Sequence, residues 1–277
     1  MFIEFDRRIV TCLTERFDVT VASISTTLSD LSSALVRRTS LLEGLGFSGG
    51  EIKNEETLTS GNYVALKKVT AYVPEGFSGD LRDYAKVIQK SIECCVVIER
   101  EGFEAFSAHM DMLITNVKRL NEYNDNTFGL TNDTLANIDN LNKQVSKFFK
   151  HNNHITEVPY GNIVRNNKDF LELVRETNYF SKSINAGDKT GLDPDVVVTL
   201  VDKINNDLLK LKKEIEVGKV EDVKPEVINA ISRGVLNLAQ SAEFYSMTVF
   251  RATALVTSVS DTFNNLKKAT GGNDLVQ

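Results

Sequence analysis

Tryptophan is absent from this chain, proline occurs four times, and cysteine and histidine three times each. Proline breaks helix interiors, so its scarcity leaves room for long uninterrupted helices. The three cysteines, Cys12 and the adjacent Cys94 and Cys95, exclude a disulfide-stapled scaffold, because their number is odd and neighbouring cysteines pair poorly. They read as reduced, helix-packing thiols. An excess of positive charge is also missing: 32 Lys and Arg against 38 Asp and Glu leave a net −6. The short pairs Lys67-Lys68 and Lys212-Lys213 sit among acidic neighbours, so direct binding to a nucleic-acid backbone is not expected. No apolar run approaches the length needed to cross a bilayer, Cys94 to Ile98 being the best candidate. The opening MFIEFDRRIV has neither a basic leader with an apolar core nor a small-residue cleavage site, so no secretory signal is expected.

What the chain does contain is periodicity. From Ile228 to Leu266 an apolar or small residue recurs every three then four positions: Ile228, Ile231, Val235, Leu238, Ala242, Tyr245, Val249, Ala252, Val256, Val259, Phe263 and Leu266. This spacing predicts one helix of roughly 60 Å whose seam other helices cover. Beside the seam stand Ser232, Ala239, Ser246, Thr253 and Ser260 on one side, and Val227, Gly234, Ser241, Thr248, Leu255 and Thr262 on the other. A two-stranded coiled coil would place charges there. Small residues instead predict close neighbours on several sides, and with Arg233, Glu243, Arg251 and Asp261 as the charges of the span, little of this rod should face water.

A first rod is expected from about Asp6 to Leu45 on the seam Val10, Phe17, Val21, Ile24, Leu28, Leu31, Leu35, Leu42 and Leu45. The glycines of GLGFSGG stop it, and a polar loop follows. Tyr63 to Val73 is the one strand-like segment. It must pair with a weak candidate near Ile155 to Val158, lie along the helices, or add to another molecule's sheet. A second rod runs from an N-cap at Asp80 to about Asn121. Its seam takes an extra four-residue step around Gly102, a stutter that lets another helix approach. Shorter helices are expected over Asn132 to His151, Asn167 to Ile184 and Asp195 to Val217, with Pro194 and Pro225 opening helices and Gly218 and Gly271 closing them. The expected fold is all-α: a single elongated antiparallel bundle over residues 1–277 with three rods of about 40 residues, three shorter helices and one short strand. The loop and extended segment 46–79 are inserted between the first two rods.

The search for chemistry returns weak signals. Gly44, Gly46 and Gly49 spell GxGxxG but follow a helix, whereas a dinucleotide site needs a strand before and a helix after. His151 and His154 stand three apart, with His109 elsewhere, but no Cys or carboxylate completes a metal set at close spacing. Glu93, Glu99, Glu101 and Glu104 resemble the carboxylates of di-iron bundles, yet Glu-x-x-His does not occur, and a solvated acidic face is the expectation. No GxSxG is present. No catalytic residue, cofactor or metal is therefore assigned, and the chain is expected not to be an enzyme. The surplus apolar groups Leu236, Phe244, Met247, Phe250 and Leu255 on the last rod, with Tyr63 and Tyr72, are the candidate interface residues. Burial inside the chain is the competing reading for those on the rod.

In its Asn-rich loops, missing Trp, acidic balance and segments such as VTAYVPEGFSGDLRDYAKVIQKSIE, the chain resembles virion structural proteins of large tailed bacteriophages. That resemblance implies a head, neck, tail or internal-capsid component assembled in the bacterial cytoplasm, with other copies or other structural subunits as partners. Two alternatives are a membrane-acting bundle of the pore-forming-toxin kind, with Tyr63 to Val73 as its tongue, and a cytoplasmic adaptor that binds a partner helix.

Overall fold

The computed structural model describes residues 22, 25–27, 29–30, 33, 70–122, 129–149, 155–165, 167–184, 191–217 and 224–269. The fold is an all-α helical bundle. Among the described residues the α-helices are α1 (Leu81–Val97), α2 (Ala105–Thr115), α3 (Asn132–Val145), α4 (Asn167–Ile184), α5 (Pro194–Glu216) and α6 (Pro225–Ala269). The strands are β1 (Thr70–Pro74) and β2 (Ile155–Pro159). The expected first rod and its seam lie outside the described residues, save that Ala22, Ser25, Thr26, Thr27, Ser29, Asp30 and Ser33 are helical. Tyr63 and the glycines at 44–50 also lie outside.

The chain divides into two compact units that are discontinuous in sequence. One comprises Met1–Arg37, Val96–Ala136 and Pro194–Ser246, and the other Arg38–Cys95, Asn137–Asp193 and Met247–Gln277. Helices α1, α3 and α6 each contribute to both.

Helix α6 is one unbroken 45-residue helix. Its stripe is buried from Ile231 through Val259, and so are the flanking Val227, Gly234, Ser241, Thr248, Leu255 and Thr262. Three of the buried hydroxyls are satisfied within the helix: Ser241 donates to the Asn237 carbonyl at 2.8 Å, Thr253 to Val249 at 2.7 Å and Thr262 to Ser258 at 2.9 Å. Such back-bonding satisfies a buried Ser or Thr hydroxyl without a partner from another element. Ser258 Oγ instead shares a hydrogen bond with the Tyr160 hydroxyl at 2.9 Å, and the buried Thr248 Oγ1 has no hydrogen-bond partner among the described residues.

The second rod is helical but not uniform. Asp80 caps α1 as expected, its Oδ1 accepting the Arg82 N–H at 2.9 Å. The rod's seam, Leu81, Ala85, Ile88, Ile92, Cys95, Ile98, Gly102, Phe106, Met110, Leu113, Val117 and Leu120, is buried throughout. Where the seam takes its extra step, Ile98–Glu104 forms a π-helix, and the Ala105 N–H bonds back five residues to the Arg100 carbonyl. The added residue is thus absorbed by widening one turn. After α2, Asn116 (φ −135°, ψ 59°) leaves the helical region and Val117–Glu122 continues as a 3-10 helix, so one expected rod is several consecutive pieces.

Two glycines mark close approaches in the first unit. A Cβ on Gly102 would lie 3.2 Å from Leu130 Cδ2 and 3.5 Å from Leu238 Cδ1 on α6, the approach that the stutter predicts. Gly129 has φ +88°, and a Cβ there would stand 3.3 Å from the Cα of Gly234. In the second unit β1 pairs antiparallel with β2, Tyr72 opposite Glu157, so the strand finds its partner at the weak candidate segment. Helix α3 ends at Val145 rather than His151. There Ser146 Oγ donates to the Lys143 carbonyl at 2.9 Å, and the turn sets Phe148 against Phe77 and Tyr84.

Candidate functional site

The predicted interface residues separate into two groups. Leu236 is 52% exposed on α6. Phe244 and Leu255 are buried, and Met247 and Phe250 are half-buried. For Phe244 and Leu255 the chain itself supplies the cover, because the flank of α6 formed by Ser241, Thr248 and Leu255 is packed as tightly as its seam. Tyr72 lies in β1, but its side chain, like the whole of Tyr63, falls outside the described residues.

Further exposed apolar side chains occur in the first unit: Val97 on α1, Met112 on α2, and Val196, Leu209 and Val217 on α5. Sequence reasoning missed these. Leu209 was within reach, since it stands off the seam Val197, Val201, Ile204, Leu208 and Leu211 in the middle of a charged run. With Leu236 they make six exposed large apolar side chains in this one compact unit.

In the same unit α2 and α5 are clasped by charge. Lys203 Nζ donates to Asp111 Oδ1 at 2.7 Å, Ser107 Oγ at 2.9 Å and Asp207 Oδ2 at 3.1 Å, and Lys210 reaches Asp207 Oδ1 at 3.0 Å. Burial alone would lower the Lys203 pKa, but its hydrogen bonds to Asp111 and Asp207 outweigh that and hold it above the usual lysine value. This amine is a locked cation, unsuited to act as a neutral nucleophile. Burial pushes the Cys94 thiol up to about 11, opposed by a hydrogen bond with Asn137. At neutral pH it is therefore a protonated packing residue, not a nucleophile.

Of the four glutamates expected on one solvated face, Glu93, Glu101 and Glu104 are exposed. Glu99 is not. It is buried in the π-helical turn, where Tyr245 donates its hydroxyl proton to Oε2 at 3.1 Å. The widened turn changes the helical phase that a regular 3.6-residue count assumes. Among the described residues no group of three or more His, Cys, Asp or Glu could hold a metal ion. His151 and His154 lie outside those residues, and His109 is half-buried on α2.

The second unit holds an ionic hub on Arg82, which pairs with Asp80 at 3.1 Å, Asp169 at 3.0 Å and Glu172 at 3.0 Å. Burial raises the Asp80 pKa, but hydrogen bonds from Arg82 and the charges of Arg82 and Arg165 bring it below the usual carboxylate value. Glu176 is the opposite case. Burial raises it above the usual value, Lys86 and Arg82 oppose this, and Glu172 and Asp83 add to it. Its Oε2 is buried with no hydrogen-bond partner among the described residues. A carboxyl whose pKa is raised by folding favours the folded state at low pH and loses that contribution as pH rises through the raised value. Glu176→Gln is therefore expected to raise Tm by roughly 1–2 °C at pH 7, with the gain shrinking as the pH falls toward about 4. Thermal melts of both proteins across that range check it, and a gain that grows on acidification contradicts it.

Comparison of the chain with protein-family models, curated proteins and solved structures finds no match.

Proposed function

We propose that this chain is a non-enzymatic structural protein that works through contacts with other subunits of a larger assembly, as a component of a phage virion. The observation behind this reading is the set of large apolar side chains exposed on the first unit, led by Leu236 on a helix whose stripe is buried from Ile231 through Val259. Interfaces draw their energy from a few such anchors in packed surroundings. The sequence resemblance supplies the setting: assembly in a bacterial cytoplasm followed by incorporation into a particle. Partners are other copies of the chain or other structural proteins, with no direct contact to nucleic acid. Among the described residues no helix is long and apolar enough to cross a membrane.

Mass photometry of the full chain, alone and after disassembly of the source particle, tests the reading. The wild type is expected to form oligomers or to be found in the particle. Leu236→Glu is expected to weaken that association by at least about tenfold while leaving the helical circular dichroism unchanged, because the side chain is exposed in the isolated chain. A wild-type monomer at micromolar concentration, missing from the particle, overturns the proposal.

A further inference from the structure

On α6 the exposed side chains between Asn229 and Glu243 fall in one line. Asn229, Arg233, Leu236, Gln240 and Glu243 are each exposed and follow one another by four, three, four and three residues. That rhythm keeps side chains on one face of a helix, here over about 21 Å. All five belong to the first unit. Ile231, Val235, Leu238, Ala242 and Tyr245 on the opposite side are buried, so the line is the outer ridge of a helix whose inner side is core. Leu236, near the middle of the ridge, is the one exposed large apolar side chain among the described residues of α6.

The charges of the ridge stand on either side of that leucine, Arg233 before it and Glu243 after it. They are equally distant in sequence from Leu238. A second copy of the ridge laid antiparallel about a two-fold axis level with Leu238 therefore sets Arg233 against the partner's Glu243, and symmetry makes the contact twice. The same register places Leu236 opposite the partner's Gln240, and the two leucines flank the axis about 6 Å apart along it, within reach of each other. A parallel pairing in register would instead oppose arginine to arginine and glutamate to glutamate. The order of charges thus selects the antiparallel arrangement. Arg233 also interacts within its own chain. A guanidinium carries five N–H donors, so it can serve a second acceptor.

We propose that two copies of this chain pair through the outer ridge of α6, antiparallel, with Arg233 of each copy bound to Glu243 of the other and the two Leu236 side chains meeting at the axis. This rests on the assembly reading above and names one partner, a second copy, and one face, Asn229 to Glu243.

Sedimentation velocity of the full chain at micromolar concentration tests the pairing. The wild type is expected to be a dimer that weakens with added salt. Arg233→Glu and Glu243→Arg each put two like-charge contacts into the interface, and each should raise the dissociation constant at least about tenfold. Mixing the two variants in equal amounts should restore the dimer, and so should the double variant Arg233→Glu/Glu243→Arg, because every contact across the axis again joins opposite charges. Circular dichroism checks that each variant folds, and if Arg233→Glu does not, the exposed Glu243→Arg decides alone. Dimers of wild-type strength in the folded single variants overturn the pairing but leave the assembly reading standing, since the copies then meet through another face. A wild-type monomer that is nonetheless recovered from the source particle has the same meaning. Folded variants that neither dimerise when mixed nor when combined in one chain also overturn the pairing. A wild-type monomer missing from the particle overturns both proposals.

Discussion

Ala252→Glu is expected to abolish cooperative folding. Ala252 has no exposed surface, and the stripe neighbours Val249, Val256 and Val259 are buried with it. A glutamate there adds four heavy atoms beyond Cβ, a methylene and a carboxylate, to a site that holds a methyl group. Overpacking of that size costs about 1–3 kcal/mol. Burying an unpaired carboxylate costs several kcal/mol more unless it protonates, and protonation itself is unfavourable at neutral pH. Together these approach or exceed the ~5–15 kcal/mol by which a typical domain is stable. Arg251 is adjacent in sequence, but successive helical residues diverge by about 100° around the axis, so it is not placed to pair with this side chain. Circular dichroism and a thermal melt read the result. A cooperative transition at the wild-type temperature would show that α6 is not packed at this position.

Gly129→Val is expected to be the next most damaging change. At φ +88° the backbone of Gly129 sits where a β-branched residue is an outlier, at a cost of about 1–2 kcal/mol from backbone strain alone. The added Cβ would also meet backbone, 3.3 Å from Gly234 Cα and 3.6 Å from the Gly234 carbonyl oxygen. Backbone in the middle of a packed helix cannot yield as the end of a side chain does. A total near 3 kcal/mol and a fall in Tm of about 10 °C are expected. A melting temperature within about 2 °C of wild type would contradict so close an approach of this loop to α6.

Much of the fold was legible as periodicity. The seams of α1, α2, α5 and α6, the bounds of α4, the cap at Asp80 and the glycine approach at Gly102 all follow from local spacing or side-chain chemistry. Helix α5 begins at Pro194 and ends at Glu216, one residue from expectation at each end, which is the scatter that fraying termini produce. The pairing of β1 with β2 was one of three open alternatives, because a strand's partner is chosen by long-range geometry.

The polar sites were less legible, for a common reason. Glu99 and the exposed Glu101 and Glu104 have the same side-chain chemistry, and Arg251 looks in sequence like any solvent-facing charge. A repeat of three and four names the stripe that turns inward and so identifies helices, their ends and their cores. How many neighbours cover the rest of each helix is decided by segments far away in the chain. The burial of Phe244 and Leu255, the exposure of Leu236 and the meeting of Tyr84, Phe149 and Arg251 all depend on that count. Hydrophobic patterning is a property of residues a turn apart, whereas desolvation of a charge or a hydroxyl depends on everything that closes around it.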